Sequence, residues 1–140
     1  INPTIAFFGQ KDLQQLYIVK DLVKQMQSAT VIEGVQTVRE ESGLAKSSRN
    51  KLLSESAKKE ARLIYNCLNY CQKNKEKGVD KLKFHIQQQF LKQKNFTLEY
   101  AEFVALKTML PIKDWEEENK NAVSISAYHS GVRLIDNIIL

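Results

Sequence analysis

Several features that mark common protein classes are missing from this 140-residue chain. No apolar run approaches the ~20 residues needed to span a bilayer, and no signal-peptide layout is present. The patterns G-x-x-x-x-G-K-[ST] and G-x-G-x-x-G are both absent, which excludes a P-loop and a dinucleotide fingerprint. There is also no internal repeat and no low-complexity segment. The composition, 43% hydrophobic and 26% charged, is that of an ordinary globular protein.

Cysteine is scarce, since the chain has only two. Cys67 and Cys71 lie four residues apart on one predicted helix, and no further cysteine or nearby histidine completes a zinc site. Reduced, half-buried thiols are the expected state, which places the protein in the cytoplasm. The chain opens with Ile1 rather than Met, directly before an apolar run, and we therefore expect a piece of a longer protein.

The net charge of +5 allows a polyanionic partner. The lysines of residues 51–94, however, are spread among Glu, Asp and Gln, as on a solvated helical face. No basic block interleaved with aromatic residues is present, so we predict no nucleic acid as a partner. A non-enzymatic basic module that binds RNA stays open as an alternative hypothesis.

The first informative segment is residues 4–15, T-I-A-F-F-G-Q-K-D-L-Q-Q. Its apolar run predicts a strand that Gly9 ends in a tight turn, and a helical pattern begins by Asp12. In an open α/β sheet, ligands bind at the carboxyl ends of strands, where helix N-termini attract anions. Lys11 would add a positive charge there. The alternative interpretation is structural: Asp12 only caps the helix, and Lys11 is solvated.

The second informative segment is residues 42–50, which include Lys46, Ser47, Ser48 and Arg49 in succession. Two hydroxyls and two cations on a flexible loop suit a phosphate chain, because Arg presents a planar fork and Ser a short donor. The alternative is a surface loop whose serines cap the next helix.

The remaining pattern predicts an α/β segment followed by a small α+β domain with a boundary near Leu52. An amphipathic helix over residues 12–27 precedes a buried strand within residues 29–38 that pairs in parallel with the first strand. Ser54 is predicted to cap a helix that runs to about residue 75, and a second helix covers about residues 79–94. The pattern beyond them predicts three strands in an antiparallel sheet, at residues 96–106, 122–128 and 132–140. His85 is predicted to be a surface residue.

Four ordered motifs carry a family resemblance. They are G-Q-K-D-x-Q-Q from Gly9, T-V-R-E from Thr37, G-L-A-x-S-S-R-N from Gly43, and V-R-L-I-D-N-I from Val132. In this order and at these separations they resemble the pantothenate synthetases, or pantoate–β-alanine ligases. The match is dense in the first third of the chain and returns at its end. The resemblance implies that residues 1–51 end a Rossmann-like nucleotidyltransferase domain that binds ATP and pantoate. Residues 52–140 would then form a small helical and antiparallel-sheet C-terminal domain, which could act as a lid.

The resemblance also implies a reaction and its site residues. Family members use ATP and Mg²⁺ to adenylate pantoate, and β-alanine then attacks the acyl adenylate to give pantothenate, the precursor of coenzyme A. The implied ATP-binding residues are Gly9, Gln10, Lys11, Asp12, Val38, Lys46, Ser47, Ser48 and Arg49. Within this set Lys11 would contact a phosphate, Gly9 and Asp12 the ribose, and the Val38 backbone the adenine. Lys11, Ser47, Ser48 and Arg49 would be catalytic, Gln15 would bind pantoate, and no residue here is assigned to a metal.

Two positions depart from the family pattern. Gln36 replaces a usual proline, which would loosen the turn before the adenine contact, and Lys46 replaces Met or Leu, which adds a charge near phosphate. The family's H-x-G-H-type motif, further substrate contacts and most of its dimer contacts lie outside these 140 residues. We therefore expect the chain alone to be inactive and the full protein to be a homodimeric ligase. A different adenylyltransferase of the same superfamily is the alternative enzyme.

Overall fold

The computed structural model describes residues 3–115 and 120–140. Within them the chain forms two compact units, Ile1–Thr37 and Val38–Leu140. The predicted boundary near Leu52 lies later than this division, because residues 38–51 pack with the second unit. The assignment of residues 1–51 and 52–140 to separate functional domains stays a prediction. No helix in the described part of the chain is both long and apolar enough to cross a membrane.

The first unit is a strand–helix–strand unit. Strand β1 (Ile5–Gly9) is followed by a 3-10 turn at Gln10–Asp12 and by helix α1 (Leu13–Gln25), and β2 (Val31–Val35) pairs with β1 in parallel. Gly34 allows this packing, since a Cβ there would lie 3.0 Å from the Leu16 side chain of α1. The parallel pairing predicted from the sequence is confirmed.

The burial predicted for the first unit is wrong in part. Leu13 and Leu16 are buried, but Leu22 and Met26 on the same helical stripe are 50% and 69% exposed. The strand predicted to be buried within residues 29–38 is shorter and mostly exposed, and Val35 at its end is 46% exposed. The physical reason is that the described sheet of this unit has two short strands, which cover only the start of the helix.

The second unit packs three helices against an antiparallel sheet. The helices are α2 (Glu55–Glu60), α3 (Arg62–Lys73) and α4 (Val79–Leu91). The strands β3 (Phe96–Ala105), β4 (Asn121–His129) and β5 (Val132–Ile139) follow in that order across the sheet. The predicted antiparallel sheet and the predicted α4 are therefore confirmed. The sequence also predicts a loop rich in Asp and Glu over residues 111–120, of which residues 116–119 lie outside the described residues.

The single helix predicted after Ser54 is wrong, because it is divided at Ala61. Ser54 caps the first part as predicted, with its Oγ accepting from the Ala57 N–H at 3.1 Å. At Ala61 the backbone tightens to ψ −14°, and the Ile64 N–H bonds to the Ala61 carbonyl three residues back. Such a 3-10-type turn divides the helix without Gly or Pro, so no local sequence signal marks it.

The core of the second unit lies between α3, α4 and one face of the sheet. Its fully buried large side chains are Ile64, Leu68, Leu82, Ile86, Phe103 and Ile125. Each such side chain stabilises the fold by about 1.5–3 kcal/mol through removal of apolar surface from water. Cys67 and Cys71 belong to the same core as free thiols, and they are fully rather than half buried. Burial raises the pKa of each thiol to about 12.

Candidate functional site

The candidate residues of the first unit lie together at the carboxyl end of β1. Gly9 is the last residue of β1 and is paired with Val35, the last residue of β2. Gly9 is extended, with φ −67° and ψ 128°, so the predicted turn at Gly9 is wrong. The chain turns instead through the 3-10 segment that contains Gln10, Lys11 and Asp12. A Cβ at Gly9 would meet no atom of the described chain within 4 Å, which leaves the backbone open to approach at this edge.

Lys11 and Asp12 form a loose pair at the start of α1, with Nζ 3.9 Å from Oδ1. Asp12 occupies the N-cap position of α1, but its side chain makes no capping hydrogen bond to the described residues of this helix. The purely structural interpretation of Asp12 as a cap therefore lacks the contact that defines one. Gln15 lies in the first turn of the helix and is exposed, so its amide is open to solvent.

The candidate residues of the second unit belong to a short hairpin and the turn that follows it. Residues 38–46 form this hairpin, called the 38–46 hairpin below, and an antiparallel bridge between Arg39 and Ala45 closes it. The Lys46 N–H donates to the Val38 carbonyl at 2.9 Å, and the Glu40 N–H donates to the Leu44 carbonyl at 2.8 Å. The adenine position predicted at Val38 and the first cation of the loop are thus hydrogen-bonded neighbours.

Residues 46–49, which are predicted to bind phosphate and are called the phosphate loop for that reason, continue into a 3-10 helix, Ser48–Leu52. Ser47 caps this helix, since its Oγ accepts from the Arg49 N–H at 3.3 Å. Asn50 is buried and donates from Nδ2 to the Ala45 carbonyl at 3.1 Å, so it ties the helix back to the hairpin. The segment predicted as a flexible loop is therefore built from regular hydrogen bonds, and one of its serines does cap the next helix.

A cavity of about 680 Å³ lies beside the hairpin and the phosphate loop. Lys46 and Ser47 line it, whereas Ser48 and Arg49 lie outside the lining and are exposed. The other charged residues of the lining are Arg39, Glu40, Glu41, Lys51, Glu55, Lys58 and Lys59. The cavity is thus lined by five basic and three acidic side chains. Arg39 is paired with Asp136, which is not part of the lining, so four basic and three acidic side chains remain and leave a small basic excess that favours an anion.

Two of these lining charges are paired with each other. The Lys58 ammonium lies 2.7 Å from the Glu55 carboxylate, and its hydrogen bond and charge lower the pKa of Glu55. Glu55 therefore stays ionised at neutral pH and neutralises Lys58. Three other lysines line the cavity, and none of them takes part in an ion pair described above: Lys46, Lys51 and Lys59.

Sequence reasoning missed the residues that hold the hairpin in place. Arg39 is bonded to Asp136 of β5 and stacks on the ring of Tyr65 from α3. Both charged residues lie in motifs that carry the family resemblance, T-V-R-E and V-R-L-I-D-N-I. An arginine and an aspartate in two stretches that also contain apolar residues were a usable signal for a buried ion pair. A single sequence, however, does not show which residues pair across 97 positions.

The two histidines of the chain do not join the candidate residues. His85 was predicted to be a surface residue, but it is half-buried and stacks on Tyr70 with ring centroids 3.7 Å apart. Burial, together with the charges of Lys77 and Lys92, lowers the pKa of His85, so it is neutral at pH 7. His129 is buried in the second unit, where Nε2 lies 3.1 Å from Glu60 Oε2.

Known proteins resemble this chain over almost all of its length. A pantothenate synthetase from Caldicellulosiruptor saccharolyticus is 41% identical over 143 aligned positions, which cover 100% of this chain and 50% of that protein. One from Cytophaga hutchinsonii is 40% identical, with the same coverage. The chain spans about half the length of the curated relatives it matches.

Solved structures give the same result and confirm the predicted fold class. The crystal structure of pantothenate synthetase from Thermus thermophilus matches with a TM-score of 0.88 at 33% identity, covering 97% of this chain and 49% of that one. A pantoate-beta-alanine ligase from Francisella tularensis, complexed with beta-gamma ATP and beta-alanine, matches with a TM-score of 0.66 at 28% identity. That match covers 99% of this chain and 44% of the Francisella protein.

The family model described as pantoate-beta-alanine ligase matches residues 1–139. This range contains all four motifs on which the resemblance was based, together with the hairpin, the phosphate loop and the end of β1. The chain belongs to the pantoate-beta-alanine ligase family.

Proposed function

We propose that the whole protein is a pantoate–β-alanine ligase, which uses ATP to condense pantoate with β-alanine and gives pantothenate, AMP and pyrophosphate. The observation that carries the proposal is the family match over residues 1–139. It is supported by the cations and hydroxyls of the phosphate loop, of which Lys46 and Ser47 border a cavity with a basic excess. A relative complexed with beta-gamma ATP and beta-alanine makes both compounds reasonable substrates.

ATP is assigned to two groups of residues by their place in the motifs. Lys11 is proposed to bind a phosphate at the end of β1, with Gly9, Gln10 and Asp12 beside the nucleotide and its ribose. The open space around Gly9 suits a close approach of a ligand to the backbone. The Val38 backbone is proposed to meet the adenine. Because its carbonyl already accepts from Lys46, the Val38 N–H is the group we expect to make that contact.

Lys11, Ser47, Ser48 and Arg49 are proposed to act by electrostatic stabilisation. A carboxylate oxygen of pantoate attacks the α-phosphorus of ATP, an O–P bond forms, and the bond to the β-phosphate oxygen breaks to release pyrophosphate. Negative charge accumulates on the phosphate oxygens during this step, so fixed cations and donors lower the barrier. No nucleophilic side chain is required, which agrees with the unreactive, buried state of Cys67 and Cys71.

The second step joins β-alanine to the activated acid. The ammonium of β-alanine gives one proton to solvent, and the resulting amine attacks the acyl carbon. A C–N bond forms, the C–O bond to AMP breaks with its electron pair leaving on the AMP phosphate, and the nitrogen gives a second proton to solvent. Gln15 is proposed to orient pantoate through its exposed amide, which offers both donors and an acceptor to a hydroxy acid. The remaining contacts, including an H-x-G-H-type motif, are proposed to come from parts of the protein outside these residues, so we predict that this chain alone is inactive.

Mg²⁺ is proposed as the ion that accompanies ATP. Within residues 3–115 and 120–140, no group of three or more His, Cys, Asp or Glu side chains is placed to hold a metal ion. Mg²⁺ commonly binds through substrate phosphates with few protein ligands. The proposal therefore gives the ion to the triphosphate and assigns it no ligand in the described residues.

The protein is further proposed to be a cytoplasmic homodimer with small-molecule substrates and no nucleic-acid or membrane partner. Apolar side chains of the first unit remain exposed in this chain, including Phe7 at 69% and Met26 at 69%. Exposed apolar surface of this kind is covered in most proteins by further structure. Since relatives are about twice as long, we propose that other parts of the protein cover it.

The test is pantoate-dependent exchange between ATP and pyrophosphate, measured with the whole protein and with Arg49→Ala. We expect exchange to require pantoate and its rate to fall about a hundredfold or more in the variant. A loss of this size is typical when an enzyme loses a donor that stabilises the charge of the transition state. The matched control is Arg62→Ala, because Arg62 is also exposed but lies on α3, outside the phosphate loop. It should exchange at the unaltered rate.

The outcomes separate the proposal from its alternatives. Exchange without a pantoate requirement would indicate a different adenylyltransferase of the same superfamily. Absence of exchange from folded protein with Mg²⁺ present would refute the proposal and reopen the hypothesis of an RNA-binding module. That module predicts nucleic-acid affinity that falls steeply with salt and survives the loss of Lys11 and Arg49.

A further inference from the structure

Arg39 and Asp136 form a buried, two-pronged ion pair. Arg39 Nη1 donates to Asp136 Oδ2 at 2.5 Å, and Nη2 donates to Oδ1 at 3.1 Å. Only 18% of the Arg39 side chain and 4% of the Asp136 side chain are exposed. Asp136 Oδ1 also accepts from the Asn137 N–H at 2.8 Å, which fixes the carboxylate on β5. The pair therefore has a defined orientation, and neither charge is left to water.

The Arg39 side chain makes two further contacts inside the second unit. Nη1 donates to the Gly43 carbonyl at 3.1 Å, near the apex of the 38–46 hairpin. The guanidinium carbon lies 4.0 Å from the centre of the Tyr65 ring on α3, in a cation–π contact. One side chain thus joins the hairpin to the sheet and to a core helix.

The hairpin held in this way carries the residues proposed to meet ATP. Arg39 directly follows Val38, and its backbone partner Ala45 directly precedes Lys46. We propose that Arg39, held by Asp136, is a positioning residue for the nucleotide: it fixes the hairpin, and through it the Val38 backbone and the phosphate loop. This inference rests on the proposed function, because that function assigns the hairpin to ATP.

The geometry requires arginine at this position rather than any cation. A guanidinium gives two parallel hydrogen bonds to one carboxylate and stacks flat on an aromatic ring, whereas an ammonium does neither. Lysine in its place would keep the charge near Asp136 but release the fork, the Gly43 contact and the ring stacking. The hairpin would then keep its backbone bridge and lose its fixed orientation.

The experiment compares Arg39→Lys with Arg133→Lys in the whole protein. Arg133 is the matched control, since it lies on β5, the strand that holds Asp136, and also pairs with a carboxylate, Glu99, at 2.7 Å. That ion pair joins β5 to β3 and does not involve the hairpin. Calorimetric titration gives the Kd of ATP without pantoate, and steady-state kinetics give KM for ATP and for pantoate.

We expect Arg39→Lys to raise both the Kd and the KM of ATP about tenfold, as loss of a charge-assisted contact does. KM for pantoate should stay within about twofold of the wild type, because Gln15 is not on the hairpin. Arg133→Lys should change none of these values. If Arg39 served only general stability, the variant would have a smaller fraction of active protein and therefore a lower kcat. The KM for ATP would then not rise relative to the KM for pantoate.

A second variant keeps the test decisive if Arg39→Lys does not fold. Asp136→Asn retains the shape and the oxygen that accepts from Asn137 but removes the charge that holds Arg39. It should weaken ATP binding in the same direction. An unchanged Kd for ATP in folded Arg39→Lys, or in folded Asp136→Asn, would overturn the inference.

The Kd of ATP also distinguishes a failure of the proposed ligase activity from a failure of the positioning role of Arg39. Normal ATP binding by the wild type without pantoate-dependent exchange would refute the proposed ligase activity while leaving the positioning role to be decided by the variants. Wild-type protein that binds no ATP would refute both.

Discussion

Gly43 is the position at which a single methyl group should disturb the hairpin most. Its φ is +91°, in the left-handed region that costs a residue with a Cβ about 1–2 kcal/mol. A Cβ there would lie 2.4 Å from Tyr65 Cδ1 and 3.0 Å from Tyr65 Cε1, so the ring would have to move. Displacing the ring also weakens its contact with Arg39, worth about 0.5–2 kcal/mol. Gly43→Ala should therefore lower the free energy of unfolding by about 1.5–4 kcal/mol.

Gly131→Ala is the matched control for the backbone term. Gly131 has a φ of +79°, but a Cβ there would meet no atom of the described residues within 4 Å. It should cost only the backbone term of about 1–2 kcal/mol. Urea unfolding followed by circular dichroism, with linear extrapolation to water, gives both free energies under the same conditions.

The contribution of Tyr65 is isolated by a double-mutant cycle. In a Tyr65→Ala background the ring that an added Cβ would strike is gone, so Gly43→Ala should cost no more than Gly131→Ala. Equal losses for Gly43→Ala and Gly131→Ala in the wild-type background would refute the reasoning. A cost of Gly43→Ala that does not change with Tyr65→Ala would refute it as well.

Three further predictions concern the second unit. Ser54→Ala removes the side-chain acceptor of the Ala57 N–H and should cost about 1 kcal/mol in urea unfolding, whereas Ser56→Ala on the exposed face of the same helix should cost much less. Cys67 and Cys71 should resist thiol reagents at pH 8 in the folded protein and react once it is unfolded. Because burial raises their pKa from 9.0 to about 12, the folded state holds these protons more tightly, and stability should fall as pH rises through that interval. Stability that stays constant or rises from pH 9 to pH 11, measured by urea unfolding, would contradict this assignment.

Local pattern predicted the elements whose signals are local. The alternation of β3, β4 and β5, the spacing of apolar residues in α3 and α4, and the serine before α2 are all complete within a few residues of sequence. The structure confirms these strands, α4 and the Ser54 cap, and it confirms the apolar stripe of α3, although the single helix predicted there is divided at Ala61. The end of β1 followed from the same local logic, although the turn lies at Gln10–Asp12 rather than at Gly9.

The features that the sequence did not predict depend on partners far along the chain. The strand predicted within residues 29–38 covers only Val31–Val35, and residues 38–46 form a hairpin whose Arg39 pairs with Asp136. Neither the length of β2 nor the pairing follows from propensity. The exposed half of the α1 stripe has a related cause, because periodicity shows which face of a helix is apolar but not what covers it.

A buried ion pair suits the hairpin because the segment has few buried apolar side chains. Within residues 38–50, Leu44 and Ala45 are the buried apolar side chains, and apolar contact is not directional. Two such residues can hold the hairpin against the core, but they leave its rotation and slide free. A guanidinium fork fixes distance and plane together, although two charges must be desolvated to form it. A buried pair of this kind contributes little to the net free energy of unfolding, but it fixes the distance and the orientation of the groups that it joins. If the loop presents donors to phosphate oxygens, as we propose, its geometry matters more there than its net stability, and we infer that fixing this geometry is what the pair does.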